Sequence, residues 1–439
     1  MKYTLSLLLM GALLGCSPVV YQAQKPVSPP ILKDIPEAEP TTNAREISNP
    51  QGVLNLKDAL ALALVQNPNL NVFNLQIRIK EAQTLQSGLF PNPEFGLETE
   101  NIAGSGGFNG LNASETTVSL GQLIELAGKR EKRARVAALQ SDLAFWDYTQ
   151  ARLNIFTDVM EAFAATLAAQ QRVAIQEEFL RITQGFKDKI DRRVKAGRLS
   201  PAEAIRAQIL VNNTGVRLAG LKKELRNARY RLAATWNSTE PAFSAVSGSL
   251  DYTLNLPEKA SLLEKLNNNP MLARWTTELE ANKAEKELAE AGAIPDPFIS
   301  GGFRYFNESG DNAFVAGISI PIPLFNRNQG AIEEARVRME QSRWKKRVVE
   351  NNLSSRLNQL ITSLNRLAEE KDSLEKGILP KSEQALKVIT DGFELGKFQF
   401  LDVMDAQRTL FEARERYLDV RLGLFNLVVQ IENLIGQKL

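Results

Sequence analysis

Apolar residues recur at intervals of three and four over two long stretches of the chain. Residues 128–195 contain no proline and a single internal glycine, Gly185. This pattern predicts long helices with a coiled-coil seam, the first roughly 100 Å long at ~1.5 Å per residue. The seam residues are Leu153, Phe156, Met160, Phe163 and Leu167 in the first stretch, and Leu353, Leu357, Leu360, Leu364, Leu367 and Leu374 in the second.

Each long helix is predicted to turn back sharply at a glycine. Gly197 and Gly396 precede two further helical stretches, at about 200–236 and 399–435. Helices of this length cannot be buried inside a globular domain. They are therefore predicted to pack side by side as a bundle or a tube.

Four shorter segments alternate apolar and polar residues with the period of two that is typical of β-strands. They lie at about 94–102, 114–125, 298–307 and 313–323, and turn residues connect the two members of each pair. Strands of about ten residues with one apolar face and one polar face are typical of a membrane β-barrel with a wet lumen. A soluble hairpin with one face on a core would show the same alternation.

This order of helices and strands occurs twice in the chain. Five ordered matches at an offset of about 200 residues indicate an internal duplication, with a first repeat over residues 54–240 and a second over 241–439. Each repeat is predicted to begin with a short helix, followed by a second helix whose first turn contains Pro68 or Pro270. The matched segments are residues 54–70 with 256–272, 90–93 with 294–297, 118–120 with 318–320, 135–136 with 336–337, and 196–198 with 395–397.

The first sixteen residues are predicted to form a targeting signal rather than part of the fold. A short apolar core ends at Leu-Leu-Gly-Cys, with the cysteine at position 16. This resembles a bacterial lipoprotein signal, which predicts removal of residues 1–15 and lipidation of Cys16. Ser17 after the cysteine favours the outer membrane over retention in the inner membrane. Residues 16–53 are rich in proline and are predicted to form a lipidated, extended tether.

The amino-acid composition excludes several classes of function. The chain has 53 Lys+Arg against 51 Asp+Glu, so no strongly basic surface for nucleic acid is predicted. It contains no histidine and one cysteine, which excludes His-dependent triads, His-ligated zinc and an intrachain disulfide. No set of residues suggests an enzyme, a cofactor or a metal centre.

Four strands in one chain cannot close into a barrel. Unpaired backbone groups at an open sheet edge cost several kcal/mol each in lipid, so a membrane sheet of this kind requires self-association. Three copies would supply twelve strands, and the internal repeat would make the ring pseudo-sixfold. A dimer or a tetramer would satisfy the same constraint.

Several motifs together resemble the TolC family of outer-membrane efflux channels, and most closely its lipoprotein subgroup that includes CzcC and CusC. The resemblance implies a mixed α/β membrane protein that is mainly α, with a trimeric twelve-stranded outer-membrane barrel continued by a long α-helical periplasmic tunnel. It also implies a passive exit duct that works with a periplasmic adaptor and an inner-membrane pump. The motifs are NPNL and NPML, FPNP and IPDP, SLGQLIELAGKR, SIPIPLFNRNQG, AGRLSPAE and LGKFQFLD.

The resemblance also assigns residues at the two helix–helix turns. The adaptor-contact tips fall on Gly197, Arg198 and Leu199 in one turn and on Gly396, Lys397 and Phe398 in the other, with Arg198 and Lys397 departing from the usual Gly-Leu pattern. The periplasmic constriction falls on Asp402 and Asp405, which share one helix face at a spacing of three. The alternative interpretation is that these aspartates simply lie on a solvated helix face.

Two further positions matter to the gate of such a channel. Phe393 stands where some relatives carry a tyrosine that locks the closed state, and it has no hydroxyl. Glu203 and Arg206 occupy the positions that match the two aspartates in the first repeat, where they are predicted to pair locally.

The function predicted from the sequence is the outer-membrane component of a tripartite efflux system driven by a resistance-nodulation-division (RND) pump. The subgroup resemblance implies metal cations as substrates, although drug exporters share the same plan. Two alternatives remain at this stage, a channel for type I protein secretion and a periplasmic coiled-coil scaffold lipoprotein without a pore.

Overall fold

The structure is a computed structural model that describes residues 29–32, 49–251 and 257–439. The predicted signal peptide, Cys16 and most of the predicted tether lie outside the described residues. Long helices dominate the described chain, and short strands interrupt them, as the sequence predicts. The helices are α1 (Leu56–Gln66), α2 (Pro68–Ser87), α3 (Lys129–Lys195), α4 (Pro201–Ala234), α5 (Lys259–Lys265), α6 (Pro270–Ala291), α7 (Gln329–Ser373), α8 (Leu379–Glu394) and α9 (Phe400–Ile435). The strands are β1 (Gly52–Asn55), β2 (Glu94–Glu100), β3 (Glu115–Leu123), β4 (Phe243–Ser247), β5 (Phe298–Phe306) and β6 (Asn312–Ser319).

The chain divides into two compact units. Within the described residues, the first unit comprises Leu75–Asp147 and Ala273–Val348, and it contains the four strands β2, β3, β5 and β6. The second unit comprises the remainder, including the ends of the long helices and both helix–helix turns.

The first unit is built around a four-stranded antiparallel sheet in the order β2-β3-β5-β6. One face of the sheet is formed by the odd-numbered residues of β2 and β5 and the even-numbered residues of β3 and β6, and it carries no charged residue. This face includes Phe95, Val118, Phe303 and Phe314. Phe95 is 72% exposed and Phe314 is 84% exposed, so nothing in the described chain covers this face.

The opposite face of the sheet is small and polar. Glycine and serine occupy much of it, and it carries four glutamates and one arginine. The guanidinium of Arg304 donates hydrogen bonds to Thr117 Oγ1 at 2.8 Å and Glu115 at 2.9 Å, and it pairs with Glu100 at 3.1 Å. Its charged residues are Glu94, Glu98, Glu100, Glu115 and Arg304.

The second unit buries the predicted coiled-coil seams. Leu153 and Leu357 are each 0% exposed, and Leu167 and Leu353 are also buried. The second seam packs against α9, where Leu424, Val428 and Ile431 belong to the same core cluster. The spacing of three and four therefore identified core positions correctly.

The repeated Asn-Pro motif has one structural role in both repeats. Asn269 Oδ1 accepts a hydrogen bond from Met271 N at 2.8 Å, which caps the start of α6, and its Nδ2 donates to Leu434 O near the end of α9 at 2.7 Å. Asn67 makes the matching bonds to Asn69 N at 2.9 Å and to Thr235 O, at the end of α4, at 2.9 Å. Each asparagine thus joins the start of one helix to the end of another.

The structure also departs from the sequence-based expectations in three places. A parallel pair forms between β1 and β4, and β1 begins at Gly52 inside the expected tether. The long helix of the second repeat is interrupted by a π-helical turn over Leu374–Ile378, immediately before Pro380 breaks the helical hydrogen-bond pattern. The expected strand over 313–323 ends at Ser319. Among the described residues, no helix is both long and apolar enough to cross a membrane.

Candidate functional site

The two helix–helix turns have the same backbone geometry. Gly197 has φ of 70° and Gly396 has φ of 76°, a left-handed conformation that glycine adopts without strain. The N–H of Gly197 donates to Val194 O at 2.9 Å, and the N–H of Gly396 donates to Phe393 O at 3.0 Å. The following residues, Arg198 and Lys397, donate to Arg193 O and Gly392 O, each at 2.8 Å. These paired bonds form a Schellman motif and satisfy the last carbonyls of α3 and α8.

Local capping determines where α4 and α9, the helices that follow the two turns, begin. Ser200 Oγ accepts from Ala202 N at 3.2 Å at the start of α4, and Pro201 follows as the first helical residue. At the start of α9, Gln399 and Asp402 form a capping box, in which Asp402 Oδ2 accepts from Gln399 N at 2.7 Å. The sequence analysis missed this capping role of Asp402.

A second glycine shapes the turn between α8 and α9. A Cβ on Gly392 would lie 2.4 Å from the ring of Phe398, so this ring packs directly over the glycine backbone. Phe398, which the resemblance assigns to the adaptor-contact tip, is therefore held against α8 with 38% of its surface exposed.

An apolar cluster joins the two helical hairpins near their turns. We call it the tip cluster, and it consists of Phe186, Ile190, Ala207, Phe393, Phe400 and Val403. The ring of Phe186 lies 5.2 Å from that of Phe393 and 5.8 Å from that of Phe400, measured between centroids. Leu199 packs against this cluster from the first turn. The two turns are thus held side by side by buried aromatic packing.

Arg193 adds a polar link between the same hairpins. Its guanidinium donates to Phe393 O at 3.0 Å and to Glu394 O at 2.9 Å, two carbonyls at the C-terminal end of α8. It also lies 4.6 Å from the centre of the Phe393 ring. A cation at a helix C-terminus stabilises the helix dipole as well as the orphan carbonyls.

A salt bridge lies beside this link. Lys189 Nζ contacts Glu394 Oε1 at 2.5 Å, and its hydrogen bond holds the pKa of the Glu394 carboxyl below its usual value. Phe393 lacks a side-chain hydroxyl that could form a hydrogen bond, but its backbone carbonyl accepts one from Arg193. Sequence analysis missed Arg193 because it stands in a run of basic residues that resembles an ordinary solvated helix end.

The two candidate constriction residues line one groove. Asp402 and Asp405 are exposed and border it together with Lys381 of α8 and Thr409 of α9. Asp405 forms an ion pair with Arg408 at 2.5 Å. The groove therefore presents two carboxylates on one helix face, with Lys381 also lining it and Arg408 paired with Asp405.

The other predicted residues lie as follows. Arg198 and Lys397 are exposed at the two turns. Glu203 and Arg206 form the expected local pair at 3.3 Å. No group of three or more His, Cys, Asp or Glu residues in the described part of the chain is arranged to hold a metal ion.

Comparison with known proteins gives consistent results. The sequence matches the outer membrane efflux protein family over residues 59–238 and 262–437. It is 33% identical to the cobalt-zinc-cadmium resistance protein CzcC of Cupriavidus metallidurans, over 88% of this chain and 91% of that protein. It is 24% identical to the cation efflux system protein CusC of Escherichia coli, over 83% and 82%. The crystal structure of CusC shares the fold, with a TM-score of 0.74 and 19% identity over 96% of this chain and 100% of that chain.

Proposed function

Because this chain belongs to the outer membrane efflux protein family, we propose that three copies form a passive exit duct of a tripartite efflux system. The resemblance to the TolC family and to its CzcC- and CusC-like subgroup is confirmed. In this proposal a periplasmic adaptor meets the helix–helix turns, and an inner-membrane RND pump supplies the energy. The relatives are efflux proteins rather than enzymes, and we assign no catalytic role to any residue.

The observation that carries the proposal is the open four-stranded sheet. One face is apolar and exposed, the other is small and polar, and both edge strands lack a partner within the described chain. In lipid the apolar face is favourable, but the unpaired edges are not. Association of several sheets edge to edge satisfies the edges and encloses the polar face as a lumen.

Exposed apolar positions on the helices support self-association. Ile205 is 62% exposed, Ile209 is 53% exposed and Val216 is 74% exposed, and all three lie on α4. Their spacing of four and seven places them on one stripe of the helix, as in a coiled-coil seam. A neighbouring subunit would cover this stripe.

Metal cations are the substrates that we propose. The relatives CzcC and CusC are named for cobalt, zinc and cadmium resistance and for cation efflux. The polar sheet face carries four glutamates against one arginine, which favours cations near the lumen wall. The chain contains no histidine, so imidazole cannot retain a metal in the duct. Selectivity would then reside in the pump.

Native mass spectrometry of the full-length protein, extracted from membranes in detergent, tests the assembly and the anchor together. The expected result is a complex of three chains, each beginning at Cys16 and carrying acyl chains. The same preparation should form ion-conducting pores in planar bilayers. A stable monomer, or a trimer without conductance, would favour the coiled-coil scaffold instead. Unmodified Cys16 would refute only the lipid anchor.

A gene deletion distinguishes metal efflux from type I protein secretion as the function of the duct. Deleting the gene in its native host should raise cellular zinc or cobalt content and lower tolerance to these metals. A deletion that leaves metal content unchanged but abolishes release of a secreted protein would favour the secretion channel.

We propose that Asp402 and Asp405 form the constriction of the closed duct. Converting both to asparagine removes two charges per chain while retaining polar side chains, including an acceptor at the capping position of Asp402. We expect cation-over-anion selectivity in planar bilayers to fall several-fold and block by multivalent cations to disappear.

Glu412→Gln is the matched control, because Glu412 is exposed on the same helix and its carboxylate lies 3.9 Å from Arg408. It should leave selectivity and block unchanged. An assembled Asp402→Asn/Asp405→Asn variant with native selectivity and block would assign the two aspartates to a solvated helix face.

A further inference from the structure

One buried stripe of α9 continues from the tip cluster towards the middle of the helix. Phe400 and Val403 belong to the tip cluster. Leu410 and Phe411 are buried further along the same helix. Gln407 lies between these two pairs and is only 2% exposed. Because residues three and four apart share a helix face, Gln407 occupies a core position among apolar side chains.

Helix α3 packs against this stripe of α9. The ring of Phe186 lies 5.8 Å from that of Phe400, measured between centroids. The ring of Phe179 stacks on that of Phe411 at 4.1 Å. Residue numbers fall along α3 as they rise along α9, so the two helices run antiparallel here. Gln407 therefore lies in a section of α9 that is bounded at both ends by aromatic contacts with α3.

The carboxamide of Gln407 is not satisfied at this position. Its Oε1 is buried and has no hydrogen-bond partner among the described residues. Two buried threonines of the neighbouring hairpin are satisfied within their own helices, since Thr183 Oγ1 donates to Leu180 O at 2.9 Å and Thr214 Oγ1 donates to Leu210 O at 2.7 Å. A buried polar atom without a partner loses its hydrogen bonds to water and gains none in return. Gln407 thus opposes the packing in which it is found.

The internal duplication predicted from the sequence supplies a comparison. Residues 207–208 match 406–407, so Gln208 of α4 is the equivalent of Gln407. Gln208 is exposed, and its Nε2 donates to Asn212 Oδ1, four residues further along the helix, at 2.9 Å. At the same offset, Phe411 stands in place of Asn212. A phenyl ring offers no oxygen to the amide, so the second repeat lacks this local partner.

The unfavourable burial of Gln407 depends on the packing of α3 against α9. In the packed arrangement Oε1 is excluded from water, whereas separation of the two helices would let water reach it. A contribution that is unfavourable in only one of two states shifts the equilibrium towards the other state. An apolar side chain of the same length at this position would make no such contribution.

Resting on the proposed function, we propose that Gln407 keeps the closed tip of the duct close to its opening equilibrium. The tip cluster and the link from Arg193 to α8 hold the tip closed. The buried carboxamide acts in the opposite direction and lowers the free energy required for opening. A docked adaptor then needs a smaller difference in affinity between the two states to open the duct.

The substitution Gln407→Met tests this role, because methionine has nearly the same length but no amide that requires hydrogen bonds. We expect amide hydrogen exchange over residues 400–411 of the detergent-solubilised trimer to slow about tenfold, the equivalent of about 1.4 kcal/mol. The mean single-channel conductance in planar bilayers should fall. Exchange over residues 353–364, which contribute to a separate core cluster, should not change.

Gln208→Met is the matched control. It makes the same chemical change at the equivalent position of the first repeat, where the side chain is exposed. We expect exchange over residues 400–411 and conductance to stay near their native values in this variant. Equal slowing of exchange in both variants would mean that burial of the carboxamide is not the cause, and would overturn the proposal.

A double variant tests the balance between the two opposing contributions. Arg193→Met removes the link that holds the tip closed, and Gln407→Met removes the group that opposes closure. Arg193→Met/Gln407→Met should therefore exchange more slowly than Arg193→Met alone and approach the native rate. Identical exchange in the double variant and in Arg193→Met would contradict the proposed balance.

The exchange measurement separates this inference from the proposed function. Unchanged or faster exchange in Gln407→Met would show that the carboxamide supports the closed packing, and it would overturn the inference while leaving the duct intact. A trimer in which exchange slows as expected, but which forms no conducting pore, would overturn the proposed duct and leave the packing role of Gln407 standing.

Discussion

Replacing Arg193 by methionine is expected to open the periplasmic tip of the proposed duct. The substitution removes two hydrogen bonds to the last carbonyls of α8 and the contact with the Phe393 ring, while retaining much of the aliphatic stem. Hydrogen bonds from a charged donor contribute about 1.5–3 kcal/mol each when well shielded, and less at a half-exposed site. A net loss of about 2 kcal/mol would raise the open population by a factor of roughly 30.

Two measurements detect this change. Amide hydrogen exchange of residues 391–398 should accelerate, and the mean single-channel conductance in planar bilayers should rise. The apolar tip cluster remains in the variant, so we expect a loosened tip rather than an unfolded protein.

Arg192→Met is the matched control. Arg192 is exposed beside Arg193, and its side chain forms no hydrogen bond or ion pair among the described residues. Arg192→Met removes the same charge from the same helix end, and it should leave the amide hydrogen exchange and the conductance near their native values. Arg193→Lys should give an intermediate result, because an ammonium cannot bind two carbonyls in the fixed fork geometry of a guanidinium. Equal effects of Arg192→Met and Arg193→Met would mean that net charge, rather than the link to α8, controls the tip.

Substituting Asn269 is expected to have the largest effect on stability. This side chain is 2% exposed and bonds both the start of α6 and the end of α9. Asn269→Ala removes a helix cap and leaves the carbonyl of Leu434 without its partner. These losses together should lower the free energy of unfolding by about 2–4 kcal/mol. Thermal or denaturant unfolding of the detergent-solubilised protein measures the change.

The duplicated residue supplies an internal comparison. Asn67 makes the matching bonds but is only partly buried, so Asn67→Ala should cost less than Asn269→Ala. Asn269→Asp retains the cap but replaces the donor with a carboxylate beside the C-terminal end of α9. It should therefore remain strongly destabilising. A native-like Asn269→Asp would show that the bond to Leu434 contributes little.

Local patterns in the sequence were sufficient for the long helices, the two helix–helix turns and the four strands of the antiparallel sheet. The spacing of Leu353, Leu357 and Leu360 identified a buried seam, because side chains three and four residues apart share a helix face. Gly197 and Gly396 marked both turns, because a positive φ favours glycine whatever surrounds it. The alternation around Phe314 identified a strand for the same kind of local reason.

The sequence-based account of Asp402 and Asp405 was incomplete. Asp402 and Asp405 do share one groove, yet Asp402 also caps α9, which changes how a substitution there must be designed. The spacing of the two aspartates predicted their common face. The sequence analysis placed the start of this helix at about residue 399, but it did not identify Gln399 and Asp402 as a capping pair.

The sequence by itself determined the helical seams, the two glycine turns and the four strands of the antiparallel sheet, because each depends on neighbours within a few residues. Only the tertiary structure decided which distant groups meet. The bonds from Arg193 to α8 and from Asn269 to Leu434, and the parallel pairing of β1 with β4, join residues more than 150 positions apart. No local spacing encodes such partners, because packing brings them together only after the helices and strands have formed.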